Sequence, residues 1–301
     1  MAKLAHISDP HLPLGSAKLT ELLNKRILGH QSWHRNRKRI HRPEILARLV
    51  EDMGSYDPDH IAVTGDLTNI GLPQEFIAAR KWLMQLGPSD RVTVIPGNHD
   101  AYIEVDETVG TGQWAANMQG DYAVPGLEEE ADFPFVRIRR NIAFIALSSS
   151  VPTPWFVAAG ELGKSQLEAL AAALPRLREQ GYFRCVLVHH PPLPGQNTAR
   201  KALRDAAEMT GVLQQHGAEL VLHGHNHQNM HEPLKTATGT AHVFGVPSAS
   251  AKATGHKPAA GWNLYEISRE GGKWHCKATI RGYVASEGKF ADKRSFDLSF
   301  D

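Results

Sequence analysis

Five short polar motifs each close a predominantly apolar run in this 301-residue chain, and their order constrains the fold more than any other feature. They are Asp9-Pro10-His11, Gly65-Asp66, Gly97-Asn98-His99-Asp100, His189-His190-Pro191 and Gly224-His225-Asn226-His227. The runs before them are Lys3–Ser8, His60–Thr64, Arg91–Ile95, Arg184–Val188 and Glu219–Leu222. Short runs rich in Ile and Val read as strands buried on both faces. Helix-patterned segments lie between them: Pro43–Met53, Pro73–Leu86, Ser165–Leu177 and Thr198–Gln215. Pro73 suits a first helical position and Ser165 a helix cap. Two strand pairs complete the pattern. Phe135–Ile138 turns into Ile142–Leu147 at Arg140-Asn141, and Trp262–Ile267 turns into Lys273–Ile280 at Arg269-Glu270-Gly271-Gly272. Strands that alternate with helices and then pair directly predict an α/β (α+β) core with an antiparallel component. There is no linker, repeat or low-complexity segment. The expectation is a single domain over residues 1–301, with an inserted arm at 12–42 and a C-terminal hairpin and tail at 250–301. The tail Phe290–Asp301 would complete a sheet or mediate dimerisation.

Histidine is the compositional outlier. Of 17 histidines, His11, His99, His189, His190, His223, His225 and His227 lie in or beside the motifs. The formal charge of +1 argues against a globally cationic nucleic-acid binder while allowing local patches. Cys185 and Cys276 are too few for a disulfide framework or a zinc-thiolate site, and Cys185 reads as a small buried residue. The N-terminus lacks the apolar centre of a signal peptide. No apolar stretch approaches the roughly 18 residues needed to cross a bilayer, so the cytoplasm is the expected location.

The motifs carry metal chemistry. Asp9 and His11 can meet at one point if the chain turns at Pro10, although Asp-Pro-His alone is more often a turn cap. Gly65 leaves room for close approach, and the two oxygens of Asp66 suit a bridge between ions. Asn98 offers a neutral carbonyl oxygen. His99 is then free to transfer a proton, with Asp100 orienting it or stabilising its charge. The two histidine clusters, at 189–190 and 225–227, end strands at the edge where open α/β sheets bind ligands. Two ions about 3.5–4 Å apart form a common device for hydrolysing phosphate esters.

The ordered set D-x-H, G-D, G-N-H-D, H-H-P and G-H-x-H, spanning roughly residues 4–250, resembles the calcineurin-like metallophosphoesterases. The resemblance implies a four-layer αββα sandwich with a binuclear centre. Asp9, His11 and His227 would hold one divalent ion, Asn98, His189 and His225 the other, and Asp66 would bridge them. His190 would support the ligands from behind, with His223 structural or in a similar role. A bridging hydroxide would attack phosphorus, and His99 would give a proton to the leaving oxygen. Mn, Fe or Zn all suit the mixed donors.

The substrate must be read elsewhere. The G-N-H-D form resembles class III cyclic-nucleotide phosphodiesterases and implies a nucleotide-like phosphodiester. The arm carries Lys18, Lys25, Arg26, Arg35, Arg37, Lys38, Arg39 and Arg42 against one acid, Glu21. Its Asn24-Lys25-Arg26-Ile27-Leu28-Gly29 stretch resembles the arm of UDP-diacylglucosamine hydrolases. That implies a lipid-linked substrate and peripheral contact with an anionic inner-membrane surface. A lid and a plain solvated cap are the alternative readings of the arm. A nuclease is a further enzymatic reading, disfavoured by the charge balance. A non-catalytic scaffold would be expected to lack His99 or several ligands. A second insertion, Ala101–Asp132, is acid-rich around Glu128-Glu129-Glu130.

Overall fold

The computed structural model describes residues 1–123 and 133–300, so Glu128–Glu130 and Asp301 lie outside the described residues. In chain order the strands are β1 (Ala2–Ile7), β2 (His60–Val63), β3 (Val92–Val94), β4 (Phe135–Arg139), β5 (Ile142–Ala146), β6 (Phe183–Leu187), β7 (Leu220–His223), β8 (Met230–Thr236), β9 (Gly239–Gly245), β10 (Gly261–Glu270), β11 (Lys273–Val284) and β12 (Lys289–Phe300). They form two six-stranded sheets, ordered β12-β11-β10-β1-β2-β3 and β4-β5-β6-β7-β9-β8. β1, β2 and β3 run parallel in the first sheet, as do β5, β6, β7 and β9 in the second. The remaining strand pairs are antiparallel.

Strand alternation builds the layers. In β6, Phe183, Cys185 and Leu187 face the other sheet, whereas Val186 faces the helices. In β1, Leu4 enters the inter-sheet core while Ala5 and Ile7 face outward. Helices α3 (Pro43–Gly54) and α4 (Pro73–Leu86) cover the first sheet through Leu49, Met53, Phe76 and Leu83. Helices α5 (Gly163–Glu179) and α6 (Ala206–His216) cover the second through Leu170, Leu174, Met209 and Leu213. The result is the expected αββα sandwich. Both cysteines are buried and free. No helix among the described residues is long and apolar enough to cross a membrane.

Some elements differ from the pattern reading. α5 starts at Gly163 and is not capped by Ser165. The Asp205 carboxylate accepts from the amides of Leu162 at 2.9 Å and Gly163 at 2.7 Å. That use of Asp205 accompanies turns over residues 198–205, and α6 starts only at Ala206. The hairpin β8–β9 was hidden, because the edge strand β8 is largely polar and edge strands need only one apolar face. The tail Phe290–Phe300 extends the first sheet as β12. The arm folds as a 3₁₀ turn (Leu19–Leu22), helix α1 (Arg26–Ser32), a π-helical turn (Trp33–Arg37) and the single turn α2 (Lys38–Ile40).

Buried histidines make the fold acid-sensitive. The Nε2 of His60 lies 2.7 Å from the Thr93 hydroxyl, and its ring packs on Phe144 at 4.5 Å. Burial holds its proton affinity well below the ordinary value, and Arg137 lowers it further. His60 is therefore neutral when native and protonated when unfolded below about pH 6.5. The unfolded chain binds more protons there, so stability is complete above that pH and is lost as pH falls through it. Urea midpoints are expected to drop between about pH 6.5 and pH 5. His60→Gln should reduce the slope by up to about 1.4 kcal/mol per pH unit.

Candidate metal centre

The C-terminal ends of β1, β2, β3, β6 and β7 meet along one edge of the sandwich. Backbone hydrogen bonds lock the ends together: Asp9 N to Gly65 O at 2.9 Å, His11 N to Asp66 O at 3.1 Å and Gly224 N to His189 O at 3.0 Å. The imidazole Nδ1 of His189 reaches across the sheets to Thr64 O at 2.6 Å. Five predicted ligands, Asp9, His11, Asp66, His225 and His227, hold φ between 40° and 67°. That left-handed region is costly for residues with a β-carbon and clusters at functional sites. The strain turns each side chain back from its strand end toward a common point. Gly97 permits a close approach, since a β-carbon there would collide with the Asp66 carboxylate.

The seven side chains gather into two overlapping nests. In the first, His227 Nε2 lies 3.0 Å from Asp9 Oδ1 and 3.4 Å from His11 Nε2, which lies 3.8 Å from Asp66 Oδ2. In the second, Asn98 Oδ1 lies 2.8 Å from His225 Nδ1 and 3.2 Å from His189 Nε2, which lies 3.5 Å from the same Asp66 oxygen. Asp66 Oδ2 thus belongs to both. Its other oxygen accepts the His99 amide at 2.7 Å, which fixes the carboxylate.

The donor chemistry fits cations. His11 Nδ1 faces Thr68 O at 3.2 Å, and His189 Nδ1 faces Thr64 O. A carbonyl can only accept, so each Nδ1 carries a proton and each Nε2 faces inward, where it can offer a lone pair to a bound cation. Lone pairs and carboxylate oxygens converging at 3–4 Å repel unless positive charge joins them. The titration behaviour has the same cause. Burial works against a His189 cation, yet Asp66 and Asp9 overcome it and raise it to about 9. Burial alone would raise Asp9, but His227 reverses this and carries it well below the carboxylate range.

His99 sits beside the nests with Nδ1 held by Asn69 O at 2.6 Å. Burial, then Arg37, lowers it to about 4. Asp100 does not take the orienting role expected from sequence. Its carboxylate accepts the amides of Gly97 at 2.8 Å and Thr68 at 2.9 Å, building the turn that presents Asn98 and His99. Burial and the neighbouring Asp66 raise Asp100 to about 7. His190 lies behind the second nest, its Nδ1 2.8 Å from Ser149 Oγ and its ring 4.4 Å from that of His225. His223 is buried, with Nδ1 near Gly224 O.

Three participants escaped the sequence reading. The Asn69 carbonyl orients His99, a role any residue's backbone can fill. His41 packs its ring 4.4 Å from that of His11 and places Nδ1 2.9 Å from Ser250 Oγ. Together His11, His41 and His227 bring ring nitrogens within a metal's reach. Arg37 belonged to a basic run but turns inward, its Nη2 3.0 Å from His11 Nδ1. Beside the nests opens a cavity of about 730 Å³, lined by His99, Tyr102, Lys25, Arg37, Trp155 and Lys257 among others.

An αββα sandwich with this donor set at its strand ends defines a metallophosphoesterase, an enzyme that hydrolyses phosphate esters. The chain belongs to the calcineurin-like phosphoesterase family, whose profile matches residues 2–229. It is 27% identical over 228 residues to a Synechococcus sp. protein named as a probable cyclic nucleotide phosphodiesterase, covering 75% of this chain and 78% of that one. Its fold is similar to that of a dimetal phosphatase from Danio rerio, with a TM-score of 0.63, 13% identity, and coverage of 99% and 98%. It is also similar to a purple acid phosphatase from yellow lupin (Lupinus luteus) seeds, with a TM-score of 0.53 and 12% identity. That alignment covers 99% of this chain and 53% of the lupin protein.

Gly97→Ala is expected to push the Asp66 carboxylate out of both nests. Metal content by elemental analysis should fall together with the thermal midpoint. Full metal content would show that the edge tolerates the extra carbon.

Proposed function

We propose that this protein is a two-metal phosphodiesterase. The observation that carries the reading is the sharing of one Asp66 oxygen between two nests of N and O donors. Asp9, His11 and His227 would hold one divalent ion and Asn98, His189 and His225 the other, with Mn, Fe or Zn compatible with these donors. Two ions held there would acidify water to a nucleophile near neutral pH and neutralise charge on the phosphoryl group.

The chain's own groups do the rest. The Asn69 carbonyl fixes His99 and leaves Nε2 for the substrate. The anionic phosphoryl group offsets the positive surroundings that hold His99 low, so Nε2 gains a proton and passes it to the leaving oxygen. Substituents on both sides of phosphorus are accommodated by a cavity of this size, and the Synechococcus relative's name agrees with a diester. His99→Ala should keep both metals and lose roughly 10²–10⁴-fold in kcat on an alkyl phosphodiester. Bis-p-nitrophenyl phosphate, whose leaving group needs no proton, should suffer far less. Equal losses on both esters, or loss of metal, would remove His99 from the proton-donor role.

One observation favours a lipid-linked substrate at an anionic membrane surface. Leu19 and Leu23 are each 83% exposed and Phe156 is 77% exposed, with Ile27 and Trp155 also on the surface. They occupy two segments that flank the cavity and are joined by Lys25 Nζ to Thr153 O at 2.9 Å. Exposed Arg35, Lys38 and Arg39 supply positive charge. Sedimentation with phosphatidylglycerol vesicles should be lost in a Leu23→Glu, Phe156→Glu double variant. Absence of wild-type binding at low salt would refute this reading.

A further inference from the structure

We infer that Arg37 is a substrate-binding residue, delivered by the inserted arm to hold the non-bridging oxygens of the phosphoryl group at the metal centre. This inference rests on the phosphoesterase reading of that centre.

The other inward-turned arginines all meet oxygen acceptors. Arg184 pairs with Glu219 at 2.6 Å and donates to His216 O. Arg281 pairs with Asp52 at 2.6 Å and donates to Phe290 O. Arg137 donates to the carbonyls of Ser89, Val92, Ala116 and Gln119, and Arg26 to those of Ile70 and Gly71. Each guanidinium therefore has oxygen acceptors, as the cost of desolvating a cation requires.

Arg37 does not follow this rule. Among the described residues, no carboxylate lies within ion-pair distance of it. Its Nη1 lies 3.3 Å from His99 Nδ1, and its Nη2 lies 3.0 Å from His11 Nδ1 and 3.3 Å from His11 Nε2. Both Nδ1 atoms already give their protons to carbonyls, Asn69 O for His99 and Thr68 O for His11. A ring nitrogen committed in this way has no lone pair for a second donor. The lone pair within its reach, on His11 Nε2 at 3.3 Å, is one that a bound ion would claim, so the guanidinium fork is aimed at the reaction cavity with no oxygen acceptor among the described residues. A planar fork of N–H donors matches phosphate oxygens.

The arm is built to put it there. Arg26 anchors one end beneath Ile70 and Gly71. Trp33, 3% exposed, anchors the other by stacking on His41 at 6.4 Å, and His41 is held by Ser250. Between these anchors the helix widens into the π turn Trp33–Arg37. Such turns are uncommon and recur at functional sites because they re-aim a side chain. Here Arg35, Lys38 and Arg39 stay exposed and Arg37 alone turns in. Part of the basic arm is therefore active-site wall.

The test uses full-length, manganese-reconstituted protein carrying Arg37→Ala or Arg37→Lys. Metal content and thermal midpoint should match wild type. The inhibition constant for inorganic phosphate should rise roughly 10- to 100-fold in Arg37→Ala, with a smaller rise in Arg37→Lys. KM for bis-p-nitrophenyl phosphate should rise with it. Added guanidinium should restore part of the activity of Arg37→Ala and none in Arg37→Lys. An unchanged phosphate inhibition constant in a metal-replete variant overturns the inference. So does loss of metal in both variants, which would make Arg37 a brace for His11. Wild-type protein with no metal-dependent hydrolysis of any ester would instead overturn the phosphoesterase reading itself.

Discussion

The Asp66 carboxylate is the joint on which the site depends. One oxygen is pinned by the His99 amide, and the other faces both histidine nests. Its backbone also receives the His11 amide, so the first and second strand ends cannot shift independently. The His189 contact with Thr64 O brings the second sheet to the same carboxylate. The site is therefore a seam: neither sheet holds a complete nest without the other.

A seam of this kind stores electrostatic tension. Asp9 and Asp66 are buried within a few ångströms of four imidazoles, with little water to screen them. The hydrophobic layers on either side of each sheet supply the stability that tolerates it. Backbone strain at five ligand positions adds to the cost, of order 1–3 kcal/mol each. Such expense at one edge, in a fold otherwise regular, is the signature of a function that outweighs stability.

The sequence exposed the architecture where two signals coincided. Runs buried on both faces ended in residues of the type that ligate metals, so β1, β2, β3, β6 and β7 and all seven clustered side chains were legible. It hid β8, an edge strand that is largely polar and interrupted by Pro233. It also misassigned Asp100, because a carboxylate next to a histidine in sequence need not meet its ring. Gly97 and Thr68 amides claim that carboxylate, and the Asn69 carbonyl replaces it without any side-chain signature. Arg37 was visible only as one cation in a basic run. Which cation turns inward depends on the π turn and on Trp33 and His41 packing, and these are tertiary facts.

β1 pairs with β10 from residues 261–270 on one side and β2 on the other. Asp9 at its end is held by the His225 amide and by the Ser248 hydroxyl. During synthesis Asp9 must therefore wait for its Ser248 partner, which lies 239 residues further along the chain. The long delay also leaves an apolar central strand without one neighbour, a period when a chaperone would find something to hold.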